Sequence, residues 1–181
     1  MKYSIILLLI LFPLFINAQV DEPGYIVKVG DMAPDFTMQL TTADTITLSE
    51  LKGKLVMLQF TASWCMVSCK KMMPHIEKKI WQKHKDNKNF ALFGIDRGEP
   101  LDSVLLFIET TKITYQVGLD PNASIFELYA EKDAGITRNI IIDQTGRIIM
   151  LTRLFKRREF NKMVKLIDEQ LAPTYNEIIE N

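Results

Sequence analysis

Cys65 and Cys69 stand four positions apart and are the only cysteines in this 181-residue chain. They follow a strand predicted for residues 55–60, and Cys69 falls in the first turn of a helix predicted for residues 68–85. A helix N-terminus presents unpaired N–H groups and a partial positive charge, both of which stabilise a thiolate. The pair is therefore a candidate for thiol–disulfide exchange.

The spacing of the two cysteines constrains where they can lie. Residues four apart in a regular helix have Cβ atoms about 5–6 Å apart, whereas a disulfide needs about 3.5–4.5 Å. A Cys65–Cys69 bond therefore requires Cys65 to lie in the loop before the helix. Two buried structural thiols, a purely structural disulfide, or half of a metal site remain open alternatives.

Composition and charge narrow the class of protein. Hydrophobic residues make up 48% and charged residues 24% of the chain, as in a single globular domain rather than a collagen-like, disordered or multi-span membrane protein. Lys and Arg number 22, as do Asp and Glu, so no excess of positive charge favours binding to nucleic acid.

The first 18 residues predict a cleaved signal peptide. Lys2 precedes an apolar core at residues 5–16, and Ala18 is a small residue at the expected cleavage position. The apolar run is shorter than the roughly 18–20 residues of a bilayer span, so no stable membrane insertion is expected after cleavage. An uncleaved anchor is the alternative, and both place the protein in the periplasm or otherwise outside the cytoplasm, where disulfides persist.

The remaining residues predict one domain with alternating strands and helices. Residues 19–29 form a leader, 30–172 the domain and 173–181 a C-terminal tail. Predicted strands cover residues 45–48, 55–60, 90–96, 117–119, 139–143 and 147–154, the last two as a hairpin. Predicted helices cover residues 68–85, 101–110, 120–129 and 158–171. This order is typical of an α/β fold with helices on both faces of one sheet.

Several motifs resemble the TlpA/ResA-like branch of the thioredoxin superfamily, which is related to AhpC/TSA proteins. They are GDMAPDF at 30–36, LKGK at 51–54, FTASWC at 60–65, CKKMMP at 69–74 and IIDQTGRI at 141–148. The resemblance implies a thioredoxin-like fold with a central mixed β-sheet, and an envelope thiol–disulfide oxidoreductase that needs no cofactor. Its partners would be protein thiols or disulfides and an unidentified envelope redox donor or acceptor.

The resemblance also implies roles for individual residues. Cys65 would be the attacking thiol and Cys69 the resolving thiol, with Trp64 flanking the pair and Pro74 kinking the active-site helix. Thr137 occupies the position where the family commonly has a cis-proline facing the cysteines. A residue other than proline there predicts either a costly cis bond or a different loop path.

Two further differences between this chain and the family concern the redox chemistry of the cysteines. Three residues separate the cysteines, whereas the family usually has two. Gln59 and Met72 stand where relatives carry buried acids that move protons. Without these acids, we expect slow resolution by Cys69 at neutral pH, and hence an oxidant or a reductant with slow turnover.

The main alternative is a Sco-like copper-binding protein. Such proteins have three residues between their cysteines and a histidine just before the strand that corresponds to residues 139–143 here. Residues 133–137 contain no histidine, so the prediction is no metal site. His75 is expected on the exposed lysine-rich helical face, and His84 at a helix C-terminus. A thiol peroxidase is disfavoured because Ala62 replaces its usual threonine.

One charged segment follows the second buried strand. Asp96, Arg97 and Glu99 lie at the sheet end where ligands often bind in α/β folds. They are predicted to form a loop of surface charges.

Overall fold

A computed structural model describes residues 23–65 and 67–172. The predicted signal peptide at 1–18, the first part of the leader and the tail at 173–181 lie outside the described residues. Among the residues described, no helix combines the length and apolar character that crossing a bilayer requires.

Seven strands form one mixed sheet in the described part of the chain, in the order β2-β1-β5-β4-β3-β6-β7. They are β1 (Thr37–Leu40), β2 (Thr45–Thr47), β3 (Leu55–Thr61), β4 (Phe90–Arg97), β5 (Gln116–Asp120), β6 (Arg138–Ile142) and β7 (Ile148–Arg153). Strands β3, β4 and β5 are mutually parallel, and the other pairings are antiparallel. The predicted central mixed sheet is confirmed.

The helices follow the predicted order, with differences at their ends. They are α1 (Ser68–Ile76), a π-helical turn (Glu77–Trp81), α2 (Gln82–His84), α3 (Leu101–Thr111) and α4 (Arg157–Gln170). Two 3-10 helices cover Leu48–Leu51 and Phe126–Leu128. The helix predicted for 68–85 is thus a continuous run that widens into a π turn after Pro74, a residue that cannot donate a backbone hydrogen bond.

Strand β3 lies at the centre of the core, with β4 on one side and β6 on the other. All seven of its residues are buried, which explains its nearly continuous apolar sequence. Successive side chains point to opposite faces: Phe60 packs against Phe126 and Tyr129, whereas Thr61 donates a hydrogen bond to Met73 of α1 at 3.3 Å. Helical segments therefore cover both faces of the sheet, as predicted.

Two local predictions differ from the structure. Strand β1 was not predicted, because it is only four residues long and alternates between exposed and buried side chains. The helix predicted for 120–129 is a turn followed by one short 3-10 helix. The Asp120 carboxylate accepts the N–H groups of Ile125 and Phe126, and this bonding fixes a turn in place of the first helical residues.

Candidate active site

The two cysteines lie at the junction of β3 and α1. Cys69 is the second residue of α1, and Cys65 lies in the preceding loop, where its N–H donates to the Ala62 carbonyl at 3.1 Å. Both thiols are free in this structure. The expectation that Cys65 precedes the helix, as a local disulfide would require, is confirmed.

One hydroxyl group lies between the two sulfur atoms and the sheet. Thr137 Oγ1 is 3.1 Å from Cys65 Sγ and 3.2 Å from Cys69 Sγ. A hydroxyl has one hydrogen to donate and lone pairs that accept. Thr137 can therefore donate to a thiolate on one cysteine while it accepts the S–H of the other.

The two thiols differ in their access to solvent. Cys69 is fully buried, whereas Cys65 is partly exposed. Burial, reinforced by the hydrogen bond with Cys65, raises the pKa of the Cys69 thiol well above its ordinary value, and hydrogen bonds from Thr137 and Thr61 offset only part of this rise. Cys69 is accordingly a protonated thiol at neutral pH, and Cys65 is the sulfur that a large partner can reach.

The backbone of Thr137 is held by the residue that follows the last strand, β7. Its carbonyl accepts the N–H of Leu154 at 3.0 Å. Every peptide bond between described residues is trans, including the one before Thr137. The loop before β6 therefore presents a side-chain hydroxyl at this position without a cis bond.

Arg138 directly follows Thr137, and its buried side chain holds the loop before β6 in place. Its guanidinium donates to the carbonyls of Gly135 and Pro23 at 2.9 and 3.0 Å and lies over the Tyr25 ring, 4.3 Å from the centroid. Burial lowers the pKa of Arg138, although Tyr25 counteracts this effect. Arg138 was not predicted as a site residue, because a basic residue at the start of a strand carries no signal that it is buried.

The other two predicted site residues lie beside the pair. Trp64 precedes Cys65 and exposes 57% of its surface. Pro74 lies five residues after Cys69, more than one turn along α1. The structure thus brings Cys65, Cys69 and Thr137 together, while Trp64 is next to Cys65 in the chain and Pro74 lies further along α1.

The two positions that lack the family's acids hold neutral side chains with their own partners. Gln59 accepts a hydrogen bond from the Tyr115 hydroxyl at 2.6 Å. Met72 accepts one from the Asn139 amide at 3.2 Å. Neither side chain can take up a proton from Cys69.

The predicted loop of surface charges is wrong for Asp96. This residue is only 1% exposed, and neither of its carboxyl oxygens receives a hydrogen bond from a donor group among the residues described. Burial raises the pKa of Asp96 to about 8, and the neighbouring Glu99 adds to the rise through its charge and through a hydrogen bond between the two carboxyl groups. Glu99 in turn accepts both the N–H and the hydroxyl of Ser63, two residues before Cys65. A buried acid is therefore present close to the active-site loop, at a position the motifs did not indicate.

The two histidines have structural partners. His75 is half-buried and stacks on Phe155 with ring centroids 4.8 Å apart, so the expectation of an exposed surface histidine is wrong. His84 Nε2 lies 2.8 Å from the Asp168 carboxylate of α4. Within residues 23–65 and 67–172, no group of three or more His, Cys, Asp or Glu side chains could hold a metal ion.

Comparisons with known proteins agree on the fold and the chemistry. Residues 29–150 match the AhpC/TSA family. The thiol–disulfide oxidoreductase ResA of Oceanobacillus iheyensis is 32% identical over 133 residues, which cover 71% of this chain and 68% of that protein. The solution structure of a proposed protein disulfide isomerase from Bacteroides thetaiotaomicron is 60% identical, with a TM-score of 0.80 over 83% of this chain and 94% of that chain.

A further solved structure supports the fold alone. A proposed thiol:disulfide interchange protein DsbE from Chlorobium tepidum is 24% identical, with a TM-score of 0.70 over 81% of this chain and 99% of that chain. With the seven-stranded mixed sheet, these similarities confirm the expected thioredoxin-like α/β fold.

Proposed function

Because the chain belongs to the AhpC/TSA family and, within it, to the thioredoxin-like branch that includes ResA, it is a thiol–disulfide oxidoreductase, and we propose that Cys65 and Cys69 are its redox-active pair. Trp64, Pro74 and Thr137 are the supporting residues of this site. Its substrates are the thiols and disulfides of other proteins.

One observation carries the proposal: a partly exposed and a buried sulfur share the same Thr137 hydroxyl. The Cys65 thiolate attacks one sulfur of a partner disulfide, and the partner's other sulfur leaves as a thiolate. Cys69 then loses its proton and attacks Cys65 Sγ, which forms the Cys65–Cys69 disulfide and releases the second partner thiol. Two electrons pass to the partner, and the reverse sequence oxidises a partner dithiol.

The buried thiol limits the rate of the reducing direction of exchange. Cys69 must give up its proton before it can resolve the mixed disulfide, and its raised pKa makes this step slow at neutral pH. We therefore expect an oxidant, or a reductant with slow turnover.

The proposed location is the periplasm or another compartment outside the cytoplasm. The charged and apolar pattern of residues 1–18 supports export by a signal peptide. An oxidising compartment is also where a local functional disulfide can cycle with an envelope redox donor or acceptor.

The first test is the redox equilibrium of the purified protein with glutathione, read by mass spectrometry after thiol alkylation. A reversible Cys65–Cys69 disulfide with a potential above about −300 mV is the expected result, and its value indicates the direction of exchange. A disulfide that resists reduction would identify a structural bridge instead.

The roles of the two thiols are tested by a matched pair of substitutions. Cys69→Ser leaves the attacking thiol without its resolving partner, so it should accumulate mixed disulfides with a cysteine-containing substrate protein. Cys65→Ser should accumulate few, because its remaining thiol is buried and protonated. Equal trapping by both variants would contradict the assigned order.

Copper delivery is the alternative that uses the same two thiols. Cu(I) titration of the reduced protein, run beside the redox equilibrium, distinguishes the two activities. Tight one-to-one binding with little exchange would favour the copper-binding function.

A further inference from the structure

Asp96 belongs to a row of residues that crosses the sheet near the active-site loop. In the parallel pairings, Asp96 of β4 is opposite Thr61 of β3 and Leu119 of β5. Directly opposed residues point to the same face of a sheet. Asp96 therefore points to the face that Thr61 shares with α1, where Cys69 is buried.

Glu99 connects this buried carboxyl to the loop that carries Cys65. One Glu99 oxygen accepts the Ser63 N–H, and the other accepts the Ser63 hydroxyl. Both bonds are strongest when Glu99 is ionised, because a carboxylate offers acceptors on both oxygens. Glu99 thus fixes the backbone two residues before Cys65.

Among the described residues, the groups around Asp96 and Glu99 do not neutralise a negative charge on either carboxyl. Thr61 and Leu119, the neighbours of Asp96 across the sheet, do not titrate. Cys69 of α1 is a neutral thiol at neutral pH, and Asp102, in the first turn of α3, is exposed. In the part of the chain described, no Lys, Arg or His nitrogen lies within ion-pair distance of Asp96 or Glu99, although Lys70 borders the same opening as Ser63.

We propose that Asp96 and Glu99 hold one proton between them at neutral pH, and that this proton keeps Glu99 bound to Ser63 and so positions the Cys65 loop for exchange. Asp96 carries the proton because it is buried and no donor group reaches its oxygens, whereas both oxygens of Glu99 accept hydrogen bonds from Ser63. The effect on exchange rests on the proposed function of Cys65.

Loss of the shared proton places two negative charges close together at the buried C-terminal end of β4. Repulsion then favours a rotation of Glu99 toward solvent, which releases Ser63. The reactivity of Cys65 should consequently rise less with pH than ionisation of its own thiol predicts. Asp96→Asn carries no proton to lose, so it preserves the low-pH arrangement at every pH.

The carboxyl pair itself is tested by NMR, independently of any redox activity. In the wild type, the Ser63 amide resonance should titrate with a midpoint near the pKa of Asp96, about 8. Asp96→Asn should abolish this titration. Glu99→Gln, which retains an acceptor but removes the facing charge, should move the midpoint to lower pH. A Ser63 titration that is unchanged in both variants would overturn the proposed pair.

The positioning role is tested by the pH profile of Cys65 with a small aromatic disulfide between pH 6 and 9.5. Asp96→Asn and the wild type should react at similar rates at pH 6.5. At pH 9 the variant should be faster by up to about tenfold, since about one Asp96 in ten keeps its proton one unit above its pKa. Asp102→Asn, the same change at an exposed position, should follow the wild type throughout.

The NMR titration and the pH profile distinguish failure of the carboxyl pair from failure of its effect on Cys65 and from failure of the proposed function. Parallel profiles of Asp96→Asn and wild type, with the Ser63 titration present, would overturn the positioning role and leave the carboxyl pair. Absence of exchange in the wild type would instead count against the proposed function of Cys65, while the NMR titration would still decide whether the pair exists.

Discussion

Thr137 Oγ1 lies 3.2 Å from the buried sulfur of Cys69. The same oxygen is 3.1 Å from Cys65. The resemblance of the sequence motifs places Thr137 where the thioredoxin-like family commonly has a proline. Proline has neither an N–H nor a side-chain hydroxyl, so it could not make these contacts. This chain therefore has a hydrogen-bonding group where such relatives have only an apolar ring.

Thr137→Val should slow the reaction of Cys65 with a disulfide at pH 7. Valine has nearly the same shape but cannot donate to the Cys65 thiolate, and a hydrogen bond to a charged group contributes about 1.5 kcal/mol, or about tenfold in rate. Stopped-flow measurement with a chromogenic disulfide checks this. Thr137→Ser keeps the hydroxyl and should stay within about twofold of the wild type; equal rates for all three proteins would remove Thr137 from the site.

The buried Asp96 should make the protein less stable as the pH rises. The unfolded chain ionises Asp96 near pH 4, whereas the folded protein keeps the proton until about pH 8. Its contribution to the free energy of unfolding is therefore complete below pH 4 and decreases as the pH rises to 8. After allowance for partial hydration of the charged form at the end of β4, the wild type should lose ~2–3 kcal/mol more than Asp96→Asn between pH 4 and 8.5.

Urea denaturation of both proteins across this pH range measures the difference. Asp102→Asn is the matched control, because it removes an exposed carboxyl from the first turn of α3. Its stability should follow the pH dependence of the wild type. An Asp96→Asn curve parallel to the wild type would show that Asp96 ionises normally in the folded protein.

The central strands were predictable because their sequence directly reflects their environment. β3 and β4 are buried on both faces, and such strands are continuous apolar runs. β1 could not be found in the same way, since only Met38 and Leu40 of its four residues are buried. The turn after β5 depends on one carboxylate, Asp120, whose bonds to later backbone groups compete with helix formation.

The site was predictable only where it carried a motif. The cysteine spacing identified the pair, and the resemblance identified Thr137 as the facing residue. Asp96 and Arg138 are charged residues at strand ends, a pattern that normally indicates the surface. Their burial depends on segments distant in the chain, such as Pro23 over Arg138 and the strands β3 and β5 on either side of Asp96, and no local pattern predicts such packing.

Arg138→Met should destabilise the protein by ~2 kcal/mol and also slow exchange. The substitution removes the donors to the Gly135 and Pro23 carbonyls, and groups that lose a buried partner carry the cost of desolvation. Looser packing of this loop should also move Thr137 relative to the cysteines. Thermal denaturation and the disulfide reaction rate measure the two effects. Arg158→Met, at an exposed position of α4, should change stability by less than about 0.5 kcal/mol.

The carboxylate of Asp168 should contribute to stability by joining α4 to the helical run that begins at α1. It lies 2.7 Å from Lys83 Nζ and 2.8 Å from His84 Nε2. Burial opposes ionisation, but the hydrogen bonds from Lys83 and His84 outweigh it and lower the pKa of Asp168 below its ordinary value. A lowered carboxyl pKa stabilises the fold above the unfolded value of about 4, and this contribution is lost as the pH falls through the folded value.

Asp168→Asn should therefore reduce the free energy of unfolding by ~1 kcal/mol at pH 7, and the difference from the wild type should shrink as the pH falls below the unfolded value of about 4. Glu169→Gln is the control, because Glu169 pairs with Lys165 at 3.4 Å in an exposed position and an exposed pair contributes about 0.3–0.5 kcal/mol at most. Chemical denaturation at pH 7 and pH 3 measures both. A larger loss for Glu169→Gln than for Asp168→Asn would show that the contact between α4 and α2 does not depend on this carboxylate.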